Sequence, residues 1–385
     1  MSRRRQFLAA TTAATLSLSS AGCLGWSSST ADDTPRTWPQ FGRGAPHAAV
    51  APTHQMPQTL EDRTTHPLDG DLATSPVVGR DAGFAADNRG LFVRPFDDRS
   101  PGHLTLPGET ARVPAVDTDG RVVTTRSGSS GPVVVAVYPS GREVAWSRAL
   151  DGQVVTAPAV ADGVVYVGTD AGAVALSADD GERRWRVDAG VTRPDWNRLA
   201  TANLAPAVGD ETVVFPTGDG LCGVARRGRV RWRVDGERIV SSPAIRGDTV
   251  YAADLGTGLR AFGLSAGRER WRHADPGTWA TPALGERYVF AGTAGGLAVL
   301  HRRDGSLERL VDYNFGLIPA AVARVGDTIV TSTRNTGLVV VLDSTKRAAP
   351  LFSRGEGGFG APAVAGGRCL FTEFREDSFR LVVVE

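Results

Sequence analysis

Between Pro158 and Val187 the chain reads PAVADGVVYVGTDAGAVALSADDGERRWRV, and its apolar residues fall in short runs rather than along a helical stripe. Pro158-Ala159-Val160 leads into a turn at Asp162-Gly163. The β-branched and aromatic run Val164 to Thr169 leads into a second turn at Asp170-Ala171-Gly172. Ala173 to Leu176 meets a third turn at Asp179-Asp180-Gly181, and a last run ends on Trp185. Brief runs of this kind, separated by residues that tolerate positive φ, predict an antiparallel meander of four strands. Such a sheet has two apolar faces and cannot bury both alone, so it needs neighbours of its own kind.

Those neighbours are in the sequence. A Pro followed by a small residue and Val, Ile or Leu recurs at Pro76, Pro114, Pro158, Pro206, Pro243, Pro282, Pro319 (with Ala321 third) and Pro362. The eight anchors are 38, 44, 48, 37, 39, 37 and 43 residues apart. A period near forty with four short strands per unit predicts a β-propeller of eight four-stranded antiparallel blades, a single closed all-β domain over residues 59–385 with its core divided among blade junctions. No helical apolar period appears after residue 25. The last unit offers only three strand candidates: the Pro362 run, Cys369 to Phe374, and Phe379 to Val384. His66 to Pro76 follows the rhythm of Trp232 to Pro243, so the N-terminal segment is expected to supply the missing outer strand and close the ring.

Residues 1–23 read as an export signal: Arg3-Arg4-Arg5, a short weakly apolar stretch from Ala9 to Ala21, then Gly22-Cys23. The stretch is too short and polar for a spanning helix. Arg4, Arg5, Phe7 and Leu8 resemble the twin-arginine signal, which implies transport of a folded chain. Ala21-Gly22-Cys23 resembles the end of a lipoprotein box, with Ser20 where such boxes usually have Leu. This makes Cys23 the expected lipidation site and the outer face of the cytoplasmic membrane the expected location. Residues 24–58 comprise a Ser-, Thr- and Asp-rich tether and then Trp38-Pro39-Gln40-Phe41-Gly42, whose two aromatics are expected to pack in a groove on the domain.

Net charge is +1, which gives no reason to expect a nucleic-acid partner, and a monomer is expected. Lys346 is the only lysine. Cys222 and Cys369, four blades apart, are too distant for a bridge and read as small buried hydrophobes. The histidines show no metal-binding spacing, and the Asp-rich turns are too short for a calcium cage. No nucleophile elbow or phosphate loop is present. No catalytic residue, metal ligand or cofactor contact is assigned.

Ala175, Gly181 and Trp185 stand at the spacing Ala-x-Asp-x-x-Thr-Gly-x-x-x-Trp, with Ser177 and Asp180 at the Asp and Thr positions. Ala261, Gly267 and Trp271 repeat it; Gly228 and Trp232 keep the Gly-x-x-x-Trp part, and Gly141 and Trp146 are one residue further apart. Arg309 stands where the unit of Gly305 should have Trp, and the unit around Lys346 lacks the motif. In these motifs the chain resembles the pyrroloquinoline-quinone-repeat (PQQ-like) propeller family, in its exported, lipid-anchored, enzyme-lacking form similar to outer-membrane-assembly lipoproteins and archaeal relatives. The resemblance implies that Trp146, Trp185, Trp232 and Trp271 dock across blade junctions. It also implies, for quinone enzymes of the family, a pair of adjacent cysteines, a calcium site and a catalytic aspartate, none of which this sequence shows.

What remains is surface. Loops preceding the inner strands share one mouth of the channel, and there they are aromatic: Arg193, Trp196, Asn197 and Arg198 in the longest insertion, Trp279, Tyr313 and Phe315, and Phe359. These types are enriched at binding hot spots, although the same rings would also serve to plug the channel mouth. The expected function is a non-catalytic scaffold for envelope proteins. The alternatives are a quinone-dependent dehydrogenase and a binder of small molecules or glycans.

Overall fold

The computed structural model describes residues 37–51, 56–57, 63–70, 73–108, 110–129, 131–140, 142–191, 204–235, 238–274, 278, 280–294, 296–312, 321–333, 337–342 and 360–385. Among them the chain is all-β, and its eight sheets form the blades of a closed propeller. In the third blade Ala159–Ala161, Val164–Thr169, Gly172–Ser177 and Arg183–Val187 pair in that order, antiparallel throughout. The two middle strands are buried almost end to end, whereas the outer strand is exposed or half-buried along its length. This accounts for the composition. Middle strands are packed on both faces by neighbouring blades and are small and β-branched; the outer strand sets arginines on either side of one tryptophan.

Successive residues of a strand point to opposite faces, so one strand serves two junctions. Val165, Val167 and Val174 pack against Ala115, Val123 and Val134 of the second blade. Tyr166, Ala173 and Ala175 pack against Val213, Phe215 and Cys222 of the fourth. In blades two to six the pairing of the outer strand slips by one residue, for example between Ala175 and Leu176 opposite Trp185 and Arg183. That bulge re-aims the outer side chain towards the next blade.

The seventh blade corrects the anchor pattern. In the third blade Ala159 pairs with Tyr166 and Val160 with Val165; in the seventh, Ala323 pairs with Val330 and Arg324 with Ile329. The anchor of that blade is therefore Val322-Ala323-Arg324, three residues beyond Pro319. It lies 40 residues after Pro282 and 40 before Pro362, so the uneven 37 and 43 disappear. Closure is as expected: Arg63–Pro67 pairs antiparallel with Ser378–Val384, Arg63 opposite Val384 and Pro67 opposite Arg380, as the outer strand of the eighth blade.

Candidate functional site

The channel-mouth residues Arg193, Trp196, Asn197, Arg198, Trp279, Tyr313, Phe315 and Phe359 lie outside the described residues, as do Arg4, Arg5, Phe7, Leu8 and Cys23. The roots of the longest insertion are described. Val191 and Leu204 are both buried, and the Ala157 amide donates to the Leu204 carbonyl at 2.6 Å.

The other aromatic segment occupies the inner rim of the ring. Trp38 and Phe41 are 2% and 3% exposed, and from Trp38 onward the chain meets seven blades in order. Trp38 exchanges two main-chain bonds with Val78, at 2.7 and 2.8 Å, and the Val116 amide donates to the Pro39 carbonyl at 2.6 Å. The Gln40 side chain then imitates a peptide unit. Its Nε2 donates to the Val160 carbonyl at 3.0 Å, and its Oε1 accepts from the Val160 amide at 3.1 Å. The amides of Val208, Ile245, Leu284 and Arg324 donate to the carbonyls of Ala45, Pro46, Ala48 and Ala49 at 2.7–2.8 Å. Val50–Ala51 finishes as a short parallel strand beside Val322–Val325. All seven rim residues stand at the third anchor position of their blades, on the inner edge of an inner strand that would otherwise lack a partner.

This path requires unusual backbone. Arg43, His47 and Ala49 have φ of 75°, 55° and 50°, and at Gly42, φ 66°, a Cβ would stand 2.9 Å from the His47 Cα. His47 is fully buried, with Nδ1 3.2 Å from the Pro243 carbonyl and its ring edge-on to Phe41. Burial lowers its pKa to about 4 against the opposing bond to Pro243, so it is neutral and donates from Nδ1.

A second polar group joins the first two blades. Arg126 is fully buried and donates to the carbonyls of Pro107, Gly108, Asp87 and Asn88 at 2.6–2.9 Å. Asp87 in turn accepts from the amides of Arg89 and Gly90, both at 2.8 Å, and lies 3.0 Å from His103 Nε2. Burial pushes Asp87 up, but the bonds from His103 and these amides outweigh it and hold the carboxyl below its usual range. With its donors and acceptors taken up, this group braces a turn. Neither it nor the rim was legible as a site in the sequence, because the contacts are mostly to main chain; Trp38 and Phe41 signalled only that the segment packs against the domain.

The outer strands carry the observation that decides the family. Trp146 Nε1 donates to the Ala178 carbonyl, Trp185 to Arg226, Trp232 to Leu264 and Trp271 to Arg302, at 2.8–3.0 Å, each into the next blade. Each indole lies over the glycine of that blade's outer turn, Gly181, Gly228, Gly267 or Gly305; a Cβ on Gly228 or Gly267 would come within 2.6 Å of the ring. The sequence model of the family described as outer membrane protein assembly factor BamB matches residues 92–234 and 195–379. The chain belongs to this family.

Among solved structures, BamB from Moraxella catarrhalis superposes with a TM-score of 0.64 at 16% identity, covering 84% of this chain and 98% of that one. Quinohemoprotein alcohol dehydrogenase from Comamonas testosteroni gives 0.66 at 11% identity, covering 91% and 80%. A europium-containing methanol dehydrogenase gives 0.65 at 10%, covering 91% and 98%. No curated protein matches in sequence. These likenesses establish the fold that BamB-type chains share with quinone enzymes. Cys222 and Cys369 lie in strands of the fourth and eighth blades, their thiols pushed up to about 11 and 12 by burial, and no described cluster of His, Cys, Asp and Glu could hold a metal.

Proposed function

We propose that the chain is an exported, non-catalytic propeller, held by a lipid on Cys23 at the outer face of the cytoplasmic membrane, that acts as a scaffold for envelope proteins. The observation that carries this reading is membership of the BamB assembly-factor family, matched across most of the ring. Two features of the fold support it. Four docked tryptophans and the occupied inner rim make the ring a rigid frame. The longest insertion, which carries Trp196 between Arg193 and Arg198, springs from buried roots at Val191 and Leu204. Loops on rigid frames are where recognition concentrates. Trp279, Tyr313, Phe315 and Phe359 are assigned to the same face.

Crosslinking in intact cells, followed by purification from solubilised membranes, tests this reading. A stoichiometric envelope protein that is lost from a Trp196→Ala/Trp279→Ala variant of unchanged thermal stability is the expected result. A variant that melts far below the parent would instead make these rings a channel plug. The dehydrogenase neighbours motivate one counter-test: turnover of an alcohol with added quinone and calcium would overturn the non-catalytic reading.

A further inference from the structure

Residues 38–51 are held in the way a domain holds a peptide. They meet seven blades in turn through main-chain or main-chain-like contacts, and in each blade the third anchor residue takes part: Val78, Val116, Val160, Val208, Ile245, Leu284 and Arg324, with Gly326 adding a bond to Ala51 in the seventh. These donors belong to the repeat itself, so the ring presents a circle of unpaired strand edges whatever lies inside it. Addition of an extended segment to such edges is a recurring mode of peptide recognition.

The occupant has the properties of a ligand for that circle. From Trp38 to Gly42 it is uncharged and carries aromatics at both ends of a four-residue stretch. Gln40 satisfies both polar groups of Val160. A compact turn follows, closed by the Arg43 amide on the Gln40 carbonyl, the His47 amide on Gly44 and the Ala49 amide on Gly42, at 2.8–2.9 Å, and it requires Gly42 at positive φ. Up to Ala49 the segment enters no blade's own hydrogen-bond ladder beyond the Trp38–Val78 bridge; only Val50–Ala51 extends one.

We propose that the inner rim is a polypeptide-binding site, occupied in cis by residues 38–51, and that this segment is exchangeable for another of the same class: uncharged towards the ring, with two aromatics spaced as Trp38 and Phe41 and a glycine after the second that opens a turn. The rim donors recognise backbone, and the aromatic pair with Gln40 sets selectivity. The proposal uses none of the residues that serve the scaffold reading, so either stands if the other fails.

The test uses the full chain with a protease recognition sequence inserted between Gln58 and Thr59. The protein is cleaved after folding and challenged with a fluorescent peptide of residues 36–52. The expected result is saturable binding of the labelled peptide with displacement of the resident fragment, while circular dichroism and hydrodynamic radius stay those of the intact ring. A peptide with both Trp38→Ala and Phe41→Ala should bind at least ~100-fold more weakly, the loss two buried aromatics imply. Because the substitutions are in the peptide, folding of the ring is not at issue. Three outcomes overturn the proposal: a fragment that never exchanges below the denaturant concentration that unfolds the ring, a ring that comes apart as the fragment leaves, or equal binding of the two peptides.

Discussion

The ring is held together in two ways. From the second blade to the sixth, each junction repeats one device: an indole laid over a glycine, with Nε1 bonded to a carbonyl of the next blade. At the seam where the eighth blade meets the first, no such indole is found among the described residues. The outer strand comes from the far end of the chain, and side chains that reach across are His66, which accepts from Arg94 Nε at 3.1 Å and lies 5.8 Å from the Phe92 ring, and Arg368, stacked over Phe96. The inner edge is tied by Ser75, whose hydroxyl accepts from the Ala361 amide at 2.8 Å. Local repetition builds the arc, and long-range pairing closes it. The docked indoles rest on apolar burial and neutral hydrogen bonds, whereas the N-terminal residues outside the repeats place two histidines, His47 on the rim and His66 in the closing strand, where protonation matters.

The two devices differ most under truncation. A chain starting at Ala73 lacks both the rim segment and the closing strand, leaving the edge of Ser378–Val384 bare. It is expected to lose cooperative unfolding and to aggregate, as read by thermal melting and size exclusion. Within the arc, Trp232→Ala should cost about 3–5 kcal/mol in denaturant unfolding, from the emptied ring site and the lost bond to Leu264. The pH response should separate the docked indoles from the two N-terminal histidines. His47 has a pKa of about 4 in the fold against 6.5 ordinarily, and burial and Arg94 lower His66 in the same direction. Above pH 6.5 both states are neutral and the fold has its full stability. As pH falls, the unfolded chain takes up the proton first, so stability is lost between pH 6.5 and 4. His47 alone accounts for on the order of 3 kcal/mol. Thermal melts from pH 7.5 to 4.5 should slope in the parent, flatten in His47→Gln/His66→Gln, and run parallel to the parent in Trp232→Ala; a flattened Trp232→Ala curve would contradict the division.

Smaller effects should follow. Gly267→Ala sets a Cβ against Trp232 at a φ of 67°, at a cost of about 2 kcal/mol in the same unfolding assay. Arg186→Ala removes an exposed contact to Asp151 and should change stability by less than about 0.5 kcal/mol.

Much of this was legible because it repeats. Glycine-to-tryptophan spacing at Gly181 and Trp185, Gly228 and Trp232, and Gly267 and Trp271 marked the outer strands, and the short count of strands after Pro362 predicted the closure. The seventh anchor misled because a Pro-Ala pair falls three residues before the true Val322-Ala323-Arg324, which has no proline; equal spacing was the better guide. Trp38 and Phe41 announced a buried segment. Their route did not show, since main-chain donors leave no mark on side-chain identity and Val208 or Leu284 looks like any inner-strand residue. The aromatic mouth was read from residue type alone, without the repetition that fixed the blades.

Propellers occur with different blade numbers and can gain or lose a blade by copying or deleting a repeat. Here a stretch of fixed length touches Val78, Val116, Val160, Val208, Ile245, Leu284 and Arg324 in turn, each at its own residue. A ring with one more or one fewer unit would present a circumference that no longer matches the contact points of residues 38–49. The segment acts as a ruler laid inside the circle, its contact points matched in turn to seven blades of this ring.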